Sequence, residues 1–185
     1  MKAALISLPG IAAVLAGSAA LGDPSIADMT KTVDGFYRAY QSFRPPDGVP
    51  DANTRKRFEP FITPQLDRLL SDVSDAQSNY EETTKGQFPP LIDGDPFTPN
   101  YEGATSYSID VCGTDARGAH CSVSLSFQSG RDKARTWTDT VWLVRMADGW
   151  RVNDIEFGAN GDQGSKGRLS ETLRSAIDHG HGVKQ

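Results

Sequence analysis

The pattern of apolar and polar positions is strongest between Thr136 and Phe157, where two apolar stretches flank Ala147-Asp148-Gly149. It predicts two strands joined by a tight turn. A three-residue loop with Gly149 in the left-handed region sets Met146 against Trp150 and Val144 against Val152. A two-residue Asp-Gly loop would set Val144 against Asn153 and mix the faces. On the three-residue register one face carries Trp142, Val144, Met146, Trp150 and Val152, with Asp154 opposite Trp142. The other face carries Val141, Leu143 and Ile155. A hairpin apolar on both faces is central, covered by helices on one side and by sheet curl or a partner on the other.

Residues 106–112 and 120–128 alternate between apolar and small polar positions, which predicts a second hairpin with a serine-rich face in water. Ile26, Met29, Val33, Phe36, Tyr37 and Tyr40 recur at helical spacing over about residues 26–42. Ser25 and Asp28 make a capping-box-like start, and Pro45-Pro46 stop the helix. A short helical piece is expected over 54–61. Thr63 caps a further helix with Pro64 at its first position and Leu66, Leu69, Leu70, Val73 and Tyr80 on one stripe. Asp93-Gly94-Asp95-Pro96-Phe97 is turn chemistry within an irregular stretch. Asn160 to Gly167 is a glycine-rich loop, 168–178 a last short helix, and 179–185 a frayed tail. The order describes one α+β domain over residues 23–178, its N-terminal helices packed on a curled antiparallel sheet, with a short C-terminal helix.

The first residues change the picture of where the protein works. Ala3 to Gly17 is apolar and uncharged after Met1-Lys2, and Ser18 to Gly22 offers small residues to a signal peptidase. Residues 1–22 therefore read as a secretory signal peptide, which implies a periplasmic or secreted protein. The apolar run is shorter than the ~20 residues a spanning helix needs and is broken by Pro9-Gly10. No cysteine stands at the cleavage site, so no membrane anchor is expected after cleavage. The formal net charge of −5 and the lack of Lys/Arg runs argue against nucleic acid or an anionic membrane as partner.

Cys112 and Cys121 would meet an oxidising compartment, which favours a disulfide between them. The strand pattern complicates it. Tyr107, Ile109 and Val111 share one face, as do Cys121, Val123, Leu125 and Phe127, so a regular ladder points Cys112 away from Cys121. A bridge requires the ladder to bulge or end near Cys112.

Phe36-Tyr37-Arg38-Ala39-Tyr40, Ile62-Thr63-Pro64-Gln65-Leu66, Asp93 to Thr98 and Gly149 to Ile155 occur in that order. Together, over roughly residues 28–158, they resemble an uncharacterised family of bacterial secreted domains that is similar to the nuclear transport factor 2-like superfamily. That resemblance implies a cone-shaped α+β fold, with Phe97 plugging its wide end. The superfamily includes isomerases, dehydratases, ligand carriers and protein-binding modules, so the fold leaves function open.

Asp154, on an otherwise apolar face, could be a general base with a raised pKa. Equally, it could accept hydrogen bonds from a helix start, a loop amide or an arginine. Tyr37, Tyr40, Phe97, Trp142, Trp150 and Asp154 are the expected ligand-binding set. Asp93 and Asp95 lack the oxygen count for calcium and read as Asx turns. His120, His179 and His181 lack partners at zinc spacing, so no metal and no cofactor is expected. These features favour a non-enzymatic ligand- or protein-binding module, with an unknown small ligand or protein as partner and the Val141/Leu143/Ile155 face as a possible homodimer surface. The alternatives are an isomerase, dehydratase or hydrolase using Asp154, and a periplasmic immunity-type protein.

Overall fold

The computed structural model describes residues 24–43, 48–158 and 167–182. The expected signal peptide, the Pro45-Pro46 stop, nearly all of the glycine-rich loop and residues 183–185 lie outside the described residues. Among the described residues no helix is long and apolar enough to cross a membrane.

The first helix, α1, spans Pro24–Phe43, and its stripe Met29, Val33, Phe36, Tyr37 and Tyr40 is buried. Ile26, expected on that stripe, is 41% exposed at the helix's outer end. The short helix α2 (Ala52–Arg55) begins two residues earlier than expected because Asp51 caps it, its carboxylate accepting from Thr54 N at 2.7 Å. The long helix α3 spans Pro64–Thr84, with the Thr63 hydroxyl accepting from Leu66 N at 3.2 Å. Its buried positions are Leu66, Leu70, Val73, Ala76 and Tyr80.

Five antiparallel strands follow in consecutive order: β1 (Ser106–Asp115), β2 (Gly118–Phe127), β3 (Arg135–Met146), β4 (Gly149–Phe157) and β5 (Gly167–Arg168). The helix α4, Leu169–Gly182, closes the chain against α3 and β4. It continues beyond residue 178, so His179 and His181 are helical and the expected tail begins later. The extension tolerates Gly180 because α3 and α4 approach closely there. A Cβ at that position would lie 2.8 Å from Leu91 Cδ1 and 3.2 Å from Ala76 Cβ.

Two bulges bend the sheet. In β1, Ile109 pairs with Val123 but Val111 pairs with Ser122, leaving Asp110 as the extra residue. Cys112 thereby falls opposite Cys121 on the same face, and the two form a disulfide across a Cα separation of 4.0 Å. The same shift turns Val111 outward to 64% exposure, whereas alternation had placed it with Tyr107 and Ile109.

The second bulge corrects the β3–β4 register. The turn is a two-residue loop, Ala147-Asp148, with Met146 opposite Gly149, Arg145 opposite Trp150 and Leu143 opposite Val152. Gly149 supplies the positive φ of 141° that starts β4. Asn153 is then the extra residue, after which Trp142 meets Asp154 as expected. Met146 and Trp150 therefore lie on opposite sides of the sheet. Trp150 and Val152 join Val141, Leu143 and Ile155 on the helix-covered face, while Trp142, Val144, Met146 and Asp154 face away. Val141, Leu143 and Ile155 are buried in one core with Met29, Phe36, Leu66 and Leu173, so this face is covered by the chain itself.

Candidate functional site

The helix side of the sheet holds a polar cluster within an aromatic core. Phe97 is fully buried, stacked on Phe58 at 5.1 Å and edge-on to Phe36 at 5.7 Å and Tyr40 at 6.1 Å. Its position is fixed by Asp95, whose Oδ1 accepts from Phe97 N at 2.7 Å in an Asx turn. The other oxygen, Oδ2, accepts from the Tyr40 hydroxyl, which in turn accepts from Ala104 N at 2.6 Å. Gly103 passes over this pair at φ 75°, where any Cβ would collide with Asp95 Oδ2 and the Tyr40 hydroxyl. One carboxylate thus ties the 93–104 segment to α1. Burial raises the pKa of Asp95 from 3.8 to about 7, against the opposing pull of the Tyr40 and Phe97 hydrogen bonds.

Asp139 is the functional-looking residue that the hydrophobic pattern did not reveal. It is fully buried on β3, its Oδ1 accepting from Gly158 N at 2.8 Å and its Oδ2 from Trp137 Nε1 at 3.2 Å. Burial raises its pKa to about 7. The available signal was the alternation Trp137, Asp139, Val141, Leu143, which puts an acid in the inward row. Tyr37 lies in the same cluster, stacked on Tyr107 at 5.0 Å, and its buried hydroxyl has no hydrogen-bond partner among the described residues. Burial first, and then the negative charge of Asp139, hold the Tyr37 phenol well above its ordinary pKa.

On the opposite face Asp154 is a helix anchor. The residue before α4 is Arg168, whose side chain cannot accept from the free amides of the first turn. Asp154 supplies the missing acceptor. Its Oδ1 takes Ser170 N at 3.0 Å and Ile155 N at 2.9 Å, and its Oδ2 takes the Ser170 hydroxyl at 2.8 Å. The Arg168 guanidinium lies 3.5 Å from Oδ2. Glu171 completes the cap by accepting from Arg168 N at 3.1 Å. Asp154 therefore holds the start of α4 and the Arg168 guanidinium, the structural role that stood beside the general-base reading.

Beside it, Trp142 is buried under Arg117 at 4.6 Å and Arg168 at 5.5 Å, with His120 at 5.2 Å. Its Nε1 donates to Glu156 Oε2 at 3.0 Å, which Arg168 also engages at 2.9 Å. The expected ligand set is thus divided. Tyr37, Tyr40, Phe97 and Trp150 lie on the helix side, whereas Trp142 and Asp154 lie on the other.

A broad opening lies elsewhere, between the 91–101 segment and α4. It is a cleft of about 700 Å³ with an apolar floor from Ile92 and Phe157 and a polar rim that includes Tyr101, Arg168, Glu171 and His179. Asp93 and Asp95 line its loop side. Among the described residues no three His, Cys, Asp or Glu side chains are grouped to hold a metal ion. His179 lies with its ring 6.0 Å from that of Tyr80. No family model, no curated protein and no solved structure matches this chain.

Proposed function

We propose that the protein is an exported binding module of the nuclear transport factor 2-like type, which holds a small ligand in the cleft between the 91–101 segment and α4. The cleft carries this reading. Its volume falls in the range of ligand pockets, and its apolar floor with a few convergent polar groups is their usual composition. A non-enzymatic role is supported by the fate of two of the buried carboxylates: Asp154 caps α4, and Asp139 is tied to Trp137 and Gly158. Helices on one face of a bulged, curled sheet favour the cone fold, and the Cys112–Cys121 disulfide favours a periplasmic or secreted setting.

One observation supports an enzyme as second reading. Asp95 reaches the cleft wall with a pKa of about 7, so acid–base chemistry there would run through Asp95 and not Asp154. Native mass spectrometry of the protein isolated from the exported fraction tests the binding reading. A small-molecule adduct is expected, and Ser175→Trp, which fills the cleft from the exposed side of α4, should remove it without lowering the melting temperature. An adduct that persists in Ser175→Trp would exclude the cleft as its site.

A further inference from the structure

A second hollow, of about 460 Å³, lies where the β3–β4 turn meets α1 and the segment before α3. Its walls include Lys31 and Thr32 of α1, Phe61, and Arg145, Asp148 and Trp150 of the hairpin. The Asn153 bulge and the two-residue turn are what bring Trp150 to this side of the sheet.

Trp150 is unlike the other two tryptophans. Trp137 donates its Nε1 hydrogen to Asp139 and Trp142 donates its own to Glu156. Trp150 Nε1 is buried and has no acceptor among the described residues. A buried donor left unmade is costly, and native folds satisfy nearly all of them. The surroundings indicate what kind of acceptor would fit. Arg145 sits 5.4 Å over the Trp150 ring, and its one acidic neighbour, Asp28, is 3.9 Å away. Both of those side chains are more than half exposed, so the pair is loose. Lys31 is exposed and makes no ion pair among the described residues. Arg151 is already engaged, donating to Trp150 O at 2.8 Å and to Asp148 at 2.6 Å. Thr32 donates to Asp28 O and Trp150 O. Lys31, Arg145 and Arg151 therefore face Asp28 and Asp148, leaving one positive charge in excess within a chain of net charge −5.

We propose that this hollow binds the carboxylate of a small organic acid whose apolar body lies against Phe61 and the Trp150 ring. With the loosely held Arg145 side chain drawn off the ring toward the ligand, one carboxylate oxygen reaches Trp150 Nε1 and accepts from it, and Lys31 and Arg145 supply the compensating charge. Charge-assisted bonds of this kind are the strong ones, and the aromatic wall distinguishes an organic acid from an inorganic anion. The site is separate from the cleft beside α4 and does not depend on it.

Each indole N–H gives its own resonance in a proton–nitrogen spectrum, assigned by single Trp→Phe variants. Titration with phenylacetate should move the Trp150 indole resonance saturably while those of Trp137 and Trp142, already bonded within the protein, stay in place. Acetate and inorganic phosphate, as separate arms, should bind more weakly. Lys31→Ala and Arg145→Ala, both at exposed positions, should each weaken phenylacetate binding roughly tenfold. Trp150→Phe, which keeps a ring but loses both the donor and its resonance, should weaken binding by a similar factor when read by isothermal titration calorimetry. A Trp150 resonance that does not move, or three indoles that move together, overturns the proposal. Phosphate binding as tightly as phenylacetate overturns the assignment to organic acids.

Discussion

The two sides of the sheet treat their buried acids differently. On the helix side Asp139 is fully enclosed and held by two neutral donors, Gly158 N and Trp137 Nε1, with no ion pair among the described residues. On the outer side Asp154 is nearly as buried, yet it receives the start of α4 and the Arg168 guanidinium. A charge surrounded by neutral groups remains expensive, while one placed against helix amides and a cation is compensated. Burial alone therefore does not mark a reactive carboxylate. What surrounds it decides whether it titrates near neutrality or serves as a fixed anchor.

The pH dependence of stability offers the largest way to break this contrast. Asp139 has a folded pKa of about 7 against 3.8 unfolded, so the folded state binds the extra proton in that window. Its contribution is fully present below the unfolded value and is lost as pH rises through the folded one, a change of roughly 4 kcal/mol for one such acid. Urea unfolding of the native protein and of Asp139→Asn at intervals from pH 4 to 8 isolates the effect. Native stability relative to the variant should fall across the range; a constant difference would show that Asp139 is not desolvated as described.

Asp154→Ala tests the other side. It strands Ser170 N and the Ser170 hydroxyl, while Arg168 keeps Glu156, and should cost about 2 kcal/mol at neutral pH. Hydrogen exchange should place the loss in α4. Should the variant prove as stable as the native protein, the anchor reading fails. The smallest effect sharpens the role of the β1 bulge. Val111→Ser, at a position turned outward, should change stability by no more than about 0.5 kcal/mol, whereas a regular ladder would bury Val111 and make the same change costly. Thermal melts of the two proteins decide it.

Much of the fold was legible because local signals agree with it. The Thr63-Pro64 start of α3 and the apolar spacing of α1 rest on residues whose helix roles are intrinsic. The need for a bulge near Cys112 also followed from alternation, because the two half-cystines had opposite parity. The β3–β4 register was not legible. Asn153 carries no signal of being an extra residue, and its bulge restores the expected Trp142–Asp154 pairing after reversing the faces nearer the turn. That local reversal is why Trp150 parted from Trp142 and Asp154; Tyr37, Tyr40 and Phe97 lie apart from that pair because the helices cover the Val141, Leu143 and Ile155 face. Asp139 escaped notice because apolar residues on both faces of 141–143 hide the inward row to which it belongs.

The disulfide has a consequence for how the chain reaches this state. Slide β1 by one residue against its neighbour and the two thiols stand on opposite sides of the ribbon, out of each other's reach. Oxidation can therefore seal only alignments that set Cys112 opposite Cys121, as the Asp110 bulge does here. An oxidant would act as a proofreader of strand alignment, fastening the outermost ribbon once the two cysteines face each other and leaving one-residue slips open to try again.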